Sequence, residues 1–190
     1  MIILGVDPGT LITGYGVIEE RNGKFKMLDC DVVRNQSRQS MPLRLKAIYS
    51  TLCRVIDRFH PDEFAIETAF YGKNAQSAMK LGHARGVSIL AAVNYEIPTA
   101  EYSPREVKKA VVGTGAASKD QVSFMVQSIL NLKARPKYYD TTDALAVALC
   151  HFHKSPRNRR STKTDRRTDR IARSWKTFVQ EHPERIVKPR

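Results

Sequence analysis

MIILGVDPGTLITGYGVIEERNGKFKMLDCDVV, residues 1–33, is the stretch whose reading decides the fold. It opens on Ile2-Ile3-Leu4-Gly5-Val6, an apolar run that predicts a strand buried on both faces. Asp7-Pro8-Gly9 ends the run with turn formers, so Asp7 falls at the carboxyl end of that strand. Residues 15–19 and 25–33 predict two more strands. Asn22-Gly23 between them is a tight-turn signal, and Leu28, Cys30 and Val32 alternate on one face. The three strands read as an antiparallel meander.

Downstream the period changes. Leu45, Ile48, Leu52, Val55, Ile56 and Phe59 recur at helical spacing and stop before Pro61. Residues 63–67 predict a buried strand, Phe-Ala-Ile between acids, which ends on Glu67 as the first ends on Asp7. Residues 74–96 predict a long helix in which Gly82 and Gly86 would let another backbone approach, in this chain or in a second copy. Residues 97–102 predict a last strand. Ser103-Pro104-Arg105-Glu106 and Ser118-Lys119-Asp120-Gln121 are capping boxes that open two helices, the second with the apolar face Val122, Met125, Val126, Ile129 and Leu130. Residues 144–150 are apolar all round and predict a buried helix with Asp140 and Asp143 at its entrance. The order predicts an α/β domain whose mixed five-stranded sheet is flanked by helices.

The 190 residues, 42% apolar, suffice for one sizeable core. A formal charge of +13 favours polyanionic partners, nucleic acid or an anionic membrane surface. Residues 154–190 hold 13 basic against four acidic residues, a net +9, which leaves +4 for residues 1–153. The expected organisation is therefore a catalytic domain over 1–153 and a basic extension over 154–190, flexible in isolation because it has too little apolar surface to offset its ordering entropy. Cys30, Cys53 and Cys150 are odd in number and far apart, which excludes a CxxC metal site and disfavours a disulfide framework. With no signal-peptide pattern in MIILGVDPG and no apolar span of membrane length, the expectation is a cytoplasmic protein with no membrane partner.

Asp7 and Glu67 each end a core strand, where ligands of open α/β sheets bind. Asp140 and Asp143, three apart at a helix start, share a face near the positive end of its dipole. Each acid alone has an ordinary reading: Asp7 as a bond to its own turn, Asp140 as a helix cap. Four acids in one place repel one another by several kcal/mol unless cations neutralise them. Oxygen ligands without a Cys or His pattern suit Mg²⁺ or Mn²⁺, and two such ions serve in-line phosphodiester hydrolysis.

IILGVDPGTLITGYGVI, FAIETAFYGKNAQSAMKLGHARGV, VKKAVVGTGAASKDQV and DTTDALAVALCH, in that order and at these separations, resemble the RuvC Holliday junction resolvases from Met1 to about His153. The resemblance implies an RNase H-like fold and gives Asp7, Glu67, Asp140 and Asp143 as the catalytic, metal-binding acids, with two Mg²⁺ ions per site and Mn²⁺ as a substitute. Some relatives carry His at the third of these positions; Asp140 stands there in this chain, so His151 and His153 gain no catalytic role by analogy. Phe70 is implied to stack on a base near the junction centre. Tyr71 and Lys73 follow it, with packing or a solvated loop as their ordinary readings. Lys108 and Lys119 match lysines near the scissile phosphate; Lys109 stands beside them with a solvated helix face as its ordinary reading, and Arg85, in the long helix, reads either as structural or as a DNA contact.

The activity implied is symmetric nicking of two strands of like polarity in a four-way junction by a homodimer. The implied products carry 5′-phosphate and 3′-hydroxyl ends, and RuvA and RuvB are the implied partners. A branched-DNA binding module of the same fold that does not cut is the alternative, disfavoured by the four intact acids. An actin-like ATPase, which shares a related DxGT turn, needs a second nucleotide-gripping domain for which this chain has no room.

Overall fold

In the computed structural model, residues 1–68, 75–134 and 136–155 are described here. The chain divides into two compact units, Met1–His153 and Lys154–Arg190; of the second, only residues 154 and 155 fall within the described part. The elements run β1 (Ile2–Asp7), β2 (Ile12–Arg21), β3 (Lys24–Arg34), α1 (Met41–Phe59), β4 (Glu63–Glu67), α2 (Ala75–Val93), β5 (Thr99–Tyr102), α3 (Pro104–Val112), α4 (Lys119–Ile129) and α5 (Tyr139–Lys154). One open sheet has the order β3-β2-β1-β4-β5. β1, β2 and β3 pair antiparallel, whereas β4 pairs parallel to β1 and β5 parallel to β4. The predicted meander and mixed α/β sheet are thus both present.

Period-two alternation sorts the strand side chains to two faces. Leu4 and Val6 of β1 and Phe64 and Ile66 of β4 lie in one cluster with Ile48, Leu52 and Ile56 of α1 and Ala84, Ala91 and Ala92 of α2. Ile3 and Ala65 point the other way, into a cluster with Val107 and Val111 of α3, Val122 and Val126 of α4, and the α5 run Leu145–Cys150. By the same parity Asp7, Glu63 and Glu67 are on the α5 face. Leu145 and Leu149 are fully buried there, and truncating either to Ala would cost roughly 2 to 5 kcal/mol.

Local chemistry sets the element ends. Asn22 and Gly23 take left-handed φ of 54° and 76° to close the β2–β3 hairpin. His60, at φ 45°, ends α1 and donates its N–H to Ile56 O. Both predicted capping boxes form: Ser103 Oγ accepts from Glu106 N at 3.3 Å, and Ser118 Oγ from Gln121 N at 3.2 Å. Each such cap contributes about 1 kcal/mol.

α5 begins at Tyr139, earlier than its apolar run, so Asp140 and Asp143 lie within its first turns rather than before them. It lies close against β1 and β2 because the sheet offers glycines beneath it. A Cβ on Gly5 would stand 2.9 Å from Ala148 Cβ, and one on Gly16 would stand 2.6 Å from Leu145 Cδ2. Gly82 and Gly86 of α2 differ from the expectation of a close approach within the chain: a Cβ on either would meet nothing within 4 Å among the described residues. β5 is shorter than the sequence predicts, because Glu96 turns left-handed at φ 55° and the chain reaches the sheet only at Thr99.

Candidate active site

The sheet register brings the first two acids together. Val6 is the Cα partner of Ile66 in the parallel β1–β4 ladder, so Asp7 and Glu67 are the next residues on adjacent strands. Neighbouring strands lie about 4.8 Å apart. The turn after β1 is tied by Thr13, whose Oγ1 donates to Gly9 O at 2.6 Å and accepts from Gly9 N at 3.3 Å. Thr13 therefore does the turn-closing work that Asp7 would do in its ordinary reading, and the Asp7 carboxylate faces the site. α5 approaches from above with Asp143, and α4 contributes Lys119 from its first turn.

A cavity of about 340 Å³ opens at this point, lined by Asp7, Glu67 and Asp143 together with Lys108 and Lys119. Pro8, Thr68, Leu81, Pro104, Val107 and Val122 form its remaining walls. Lys119 Nζ donates to Asp143 Oδ2 at 3.2 Å. Among the described residues, no three acid, His or Cys side chains close on one point tightly enough to form a finished ion cage. Asp140 does not line the cavity; its charge reaches Asp7, Asp143 and Lys119 from the neighbouring turn of α5.

The electrostatics record unmet negative charge. Burial pushes the Asp7 carboxyl up to about 7, with repulsion from Asp143 and Asp140 adding to it and Lys119 opposing. Glu67 is pushed to about 8, again first by burial and then by Asp7 and Asp143, against the pull of Lys119 and Lys108. Asp143 is raised by burial despite its bond to Lys119, and the Lys119 ammonium is held on its proton chiefly by Asp143. Largely buried carboxylates with this few cations form a donor set that a hard divalent ion completes: oxygen ligands, excess negative charge and a shared water-accessible space. The residues present therefore fit such an ion.

A family model for crossover junction endodeoxyribonuclease RuvC matches residues 3–151, a span that contains every acid of the cavity. The chain belongs to the RuvC family. RuvC enzymes are metal-dependent nucleases that act at DNA junctions. A RuvC of Chloroherpeton thalassium is 47% identical over 188 residues, covering 99% of this chain and all of that one. A RuvC of Shewanella loihica is 55% identical over 152 residues, 80% of this chain and 87% of that one. The structure of Thermus thermophilus RuvC in complex with Holliday junction substrate superposes with a TM-score of 0.76 at 35% identity, over 80% of this chain and 92% of that one.

Of the remaining residues expected at a RuvC site, Lys108 and Lys119 stand in the cavity wall. Arg85 is in α2, where its Nε donates to Glu101 Oε2 of β5 at 2.8 Å, a structural pairing. Lys109 lies in the last turn of α3 and its carbonyl accepts the Gly113 N–H. Phe70, Tyr71 and Lys73 lie outside the described residues. The sequence reading does not reach Thr68, Leu81 and Val107 as cavity walls. Local pattern gives them no chemical signal, and which faces of α2 and α3 meet the acids is set by how those helices pack. His151, for which the sequence leaves a satisfied or an exposed helix-end histidine open, is buried and bonded to Glu63 and Tyr102.

Proposed function

We propose that this chain resolves Holliday junctions by symmetric, divalent-metal-dependent nicking of two strands of like polarity during homologous recombination and DNA repair. The observation that carries this reading is the convergence of Asp7, Glu67 and Asp143 on one cavity with Lys108 and Lys119, inside the span that matches the RuvC model. Asp7, Glu67 and Asp143 hold the ions, with Asp140 completing the set from the next turn of α5. Two ions per site, Mg²⁺ with Mn²⁺ as substitute, supply Lewis acidity for hydrolysis that leaves 5′-phosphate and 3′-hydroxyl ends.

The chain's own groups do the rest. Charge compensation lets Asp7 and Glu67, both protonated far above the usual carboxylate range, ionise near neutral pH. Lys119, released from Asp143, is free to turn its ammonium to a non-bridging phosphate oxygen, and Lys108 adds positive charge from the opposite wall. Val107, Val122 and Leu81 present an apolar rim that lowers the local dielectric and strengthens these interactions. Phe70 stacks on a base near the junction centre, and Tyr71, Lys73 and Arg85 are weaker DNA contacts in this reading.

The active form is a homodimer with two cavities set across the four arms. The exposed apolar side chains Met79, Leu90 and Val93 of α2, 65%, 50% and 52% accessible, support a second copy as the covering partner. RuvA and RuvB are the expected branch-migration partners, and the cytoplasm the expected compartment. No described helix is long and apolar enough to cross a membrane.

A synthetic four-way junction incubated with Mg²⁺ should be cut by the unmodified protein and left intact by Asp7→Asn, while a linear duplex survives both. Junction binding without cutting by the unmodified protein would instead favour a recognition module of the same fold.

A further inference from the structure

α5 carries acids at its amino end and, eight residues beyond Asp143, the buried His151. The side chains of His151 and Glu63 are each 8% exposed, and His151 Nε2 meets Glu63 Oε2 directly. The other ring nitrogen, Nδ1, is 2.8 Å from Tyr102 OH. Tyr102 ends β5 on the same rung as Glu67, and its carbonyl accepts from Thr68 N at 2.8 Å. One polar chain therefore joins the start of β4, the far end of α5 and the strand beside Glu67.

The spans on the two elements match. Asp143 to His151 rises about 12 Å along a helix, and Glu63 to Glu67 advances about 13 Å along a strand. β4 and α5 run in opposite directions here, since Glu63 meets His151 at one end while Glu67 feels the charge of Asp143 at the other. Between these ends the contact is apolar and close, with Ala144 and Ala148 over Gly5 and the Leu145 side chain over Gly16. Apolar packing fixes how closely a helix lies, and the directional hydrogen bonds of a buried polar pair specify its register.

We propose that His151, gripped by Glu63 and Tyr102, is a positioning residue that sets the register of α5 on β4 and thereby the gap between Asp143 and Glu67 that a divalent ion must bridge. It touches no reacting atom. This inference rests on the reading of the cavity as an ion site, and it assigns a task to a part of the molecule remote from that cavity.

The test uses Mn²⁺ alone as probe, titrated into the full-length chain without DNA and followed by electron spin resonance. Replacing both partners by apolar groups, Glu63→Leu with His151→Leu, keeps the core filled and should leave the melting temperature near that of the unmodified protein. Its Mn²⁺ dissociation constant should rise about tenfold or more, the range seen when groups that orient metal ligands are removed. His151→Gln, which retains a donor toward Glu63, should recover most of the affinity. Leu149→Ala, which loses stability on the same helix without touching the polar chain, should bind Mn²⁺ as the unmodified protein does. Unchanged affinity in the apolar pair, or equal weakening in Leu149→Ala, would overturn the proposal. Mn²⁺ binding by the unmodified protein and its loss in Asp7→Asn keep that failure separate from failure of the ion site itself.

Discussion

Glu63 and Glu67 stand at opposite ends of β4, on the same face of the sheet and beneath the same helix, and their surroundings differ in kind. Glu63 is 6% exposed and answered by His151. Glu67 meets Asp7 and Asp143, and its carboxyl is pushed up to about 8. A carboxylate whose partner is built into the fold holds the structure together. One surrounded by like charge stores an unfavourable interaction that only an added cation relieves, and that is how a site announces itself.

The comparison breaks if the two glutamates respond alike to mutation. Glu67→Gln should lower the junction cleavage rate by roughly two to three orders of magnitude, the scale for loss of a group that organises transition-state charge. The metal-free protein should melt no lower for it. Cleavage time courses with and without the substitution, beside thermal melts in EDTA, check both halves. Glu63→Ala should act first on the fold, costing about 3 kcal/mol of stability because it strips a buried partner from His151. Urea unfolding monitored by circular dichroism measures it.

Raising the pH sharpens the contrast through the acids. Asp7 and Glu67 bind protons more tightly folded than unfolded, so between about pH 4 and pH 8 the native state holds more protons and stability falls as pH rises. Below that window both states are protonated and the loss vanishes. Asp7→Asn should therefore stabilise the metal-free protein at pH 8 by about 2 kcal/mol while leaving it unchanged at pH 4. Equal melting points of the two proteins at pH 8 would contradict the cost of a charge at Asp7 set first by burial and then by Asp143 and Asp140. The smallest effect concerns the basic tail: truncation after Lys154 should leave cleavage chemistry intact and flatten the salt dependence of nonspecific DNA binding. Filter binding across a salt series reads the slope.

Much of this was legible in the sequence because short-range rules dominate the parts concerned. The apolar run before Asp7 and the Phe-Ala-Ile before Glu67 fix two strands that end on acids, and the two acids converge because those strands are neighbours. The capping boxes at Ser103 and Ser118 mark helix starts that the structure reproduces. What stayed hidden depends on packing between distant segments. Nothing near Gly82 or Gly86 in the sequence says that these glycines face open space while Gly5 and Gly16 carry the close helix contact. Nor does local pattern pair Glu63 with His151, 88 residues away. Asp140 and Asp143 share a face in the sequence pattern, yet only Asp143 stands in the cavity wall.

The glycines under α5 have a consequence for how the molecule can change. At Gly5 the main-chain oxygen of Ala144 comes closest to the strand, so the thickness of the layer there is set by main-chain atoms, and no rotamer can retune it. Even one added methyl at Gly5 would have to lift the helix, carrying two acids with it. Adjustment of the spacing for a larger or smaller ion is therefore closed along this seam and left to the loops and to the distal end of α5.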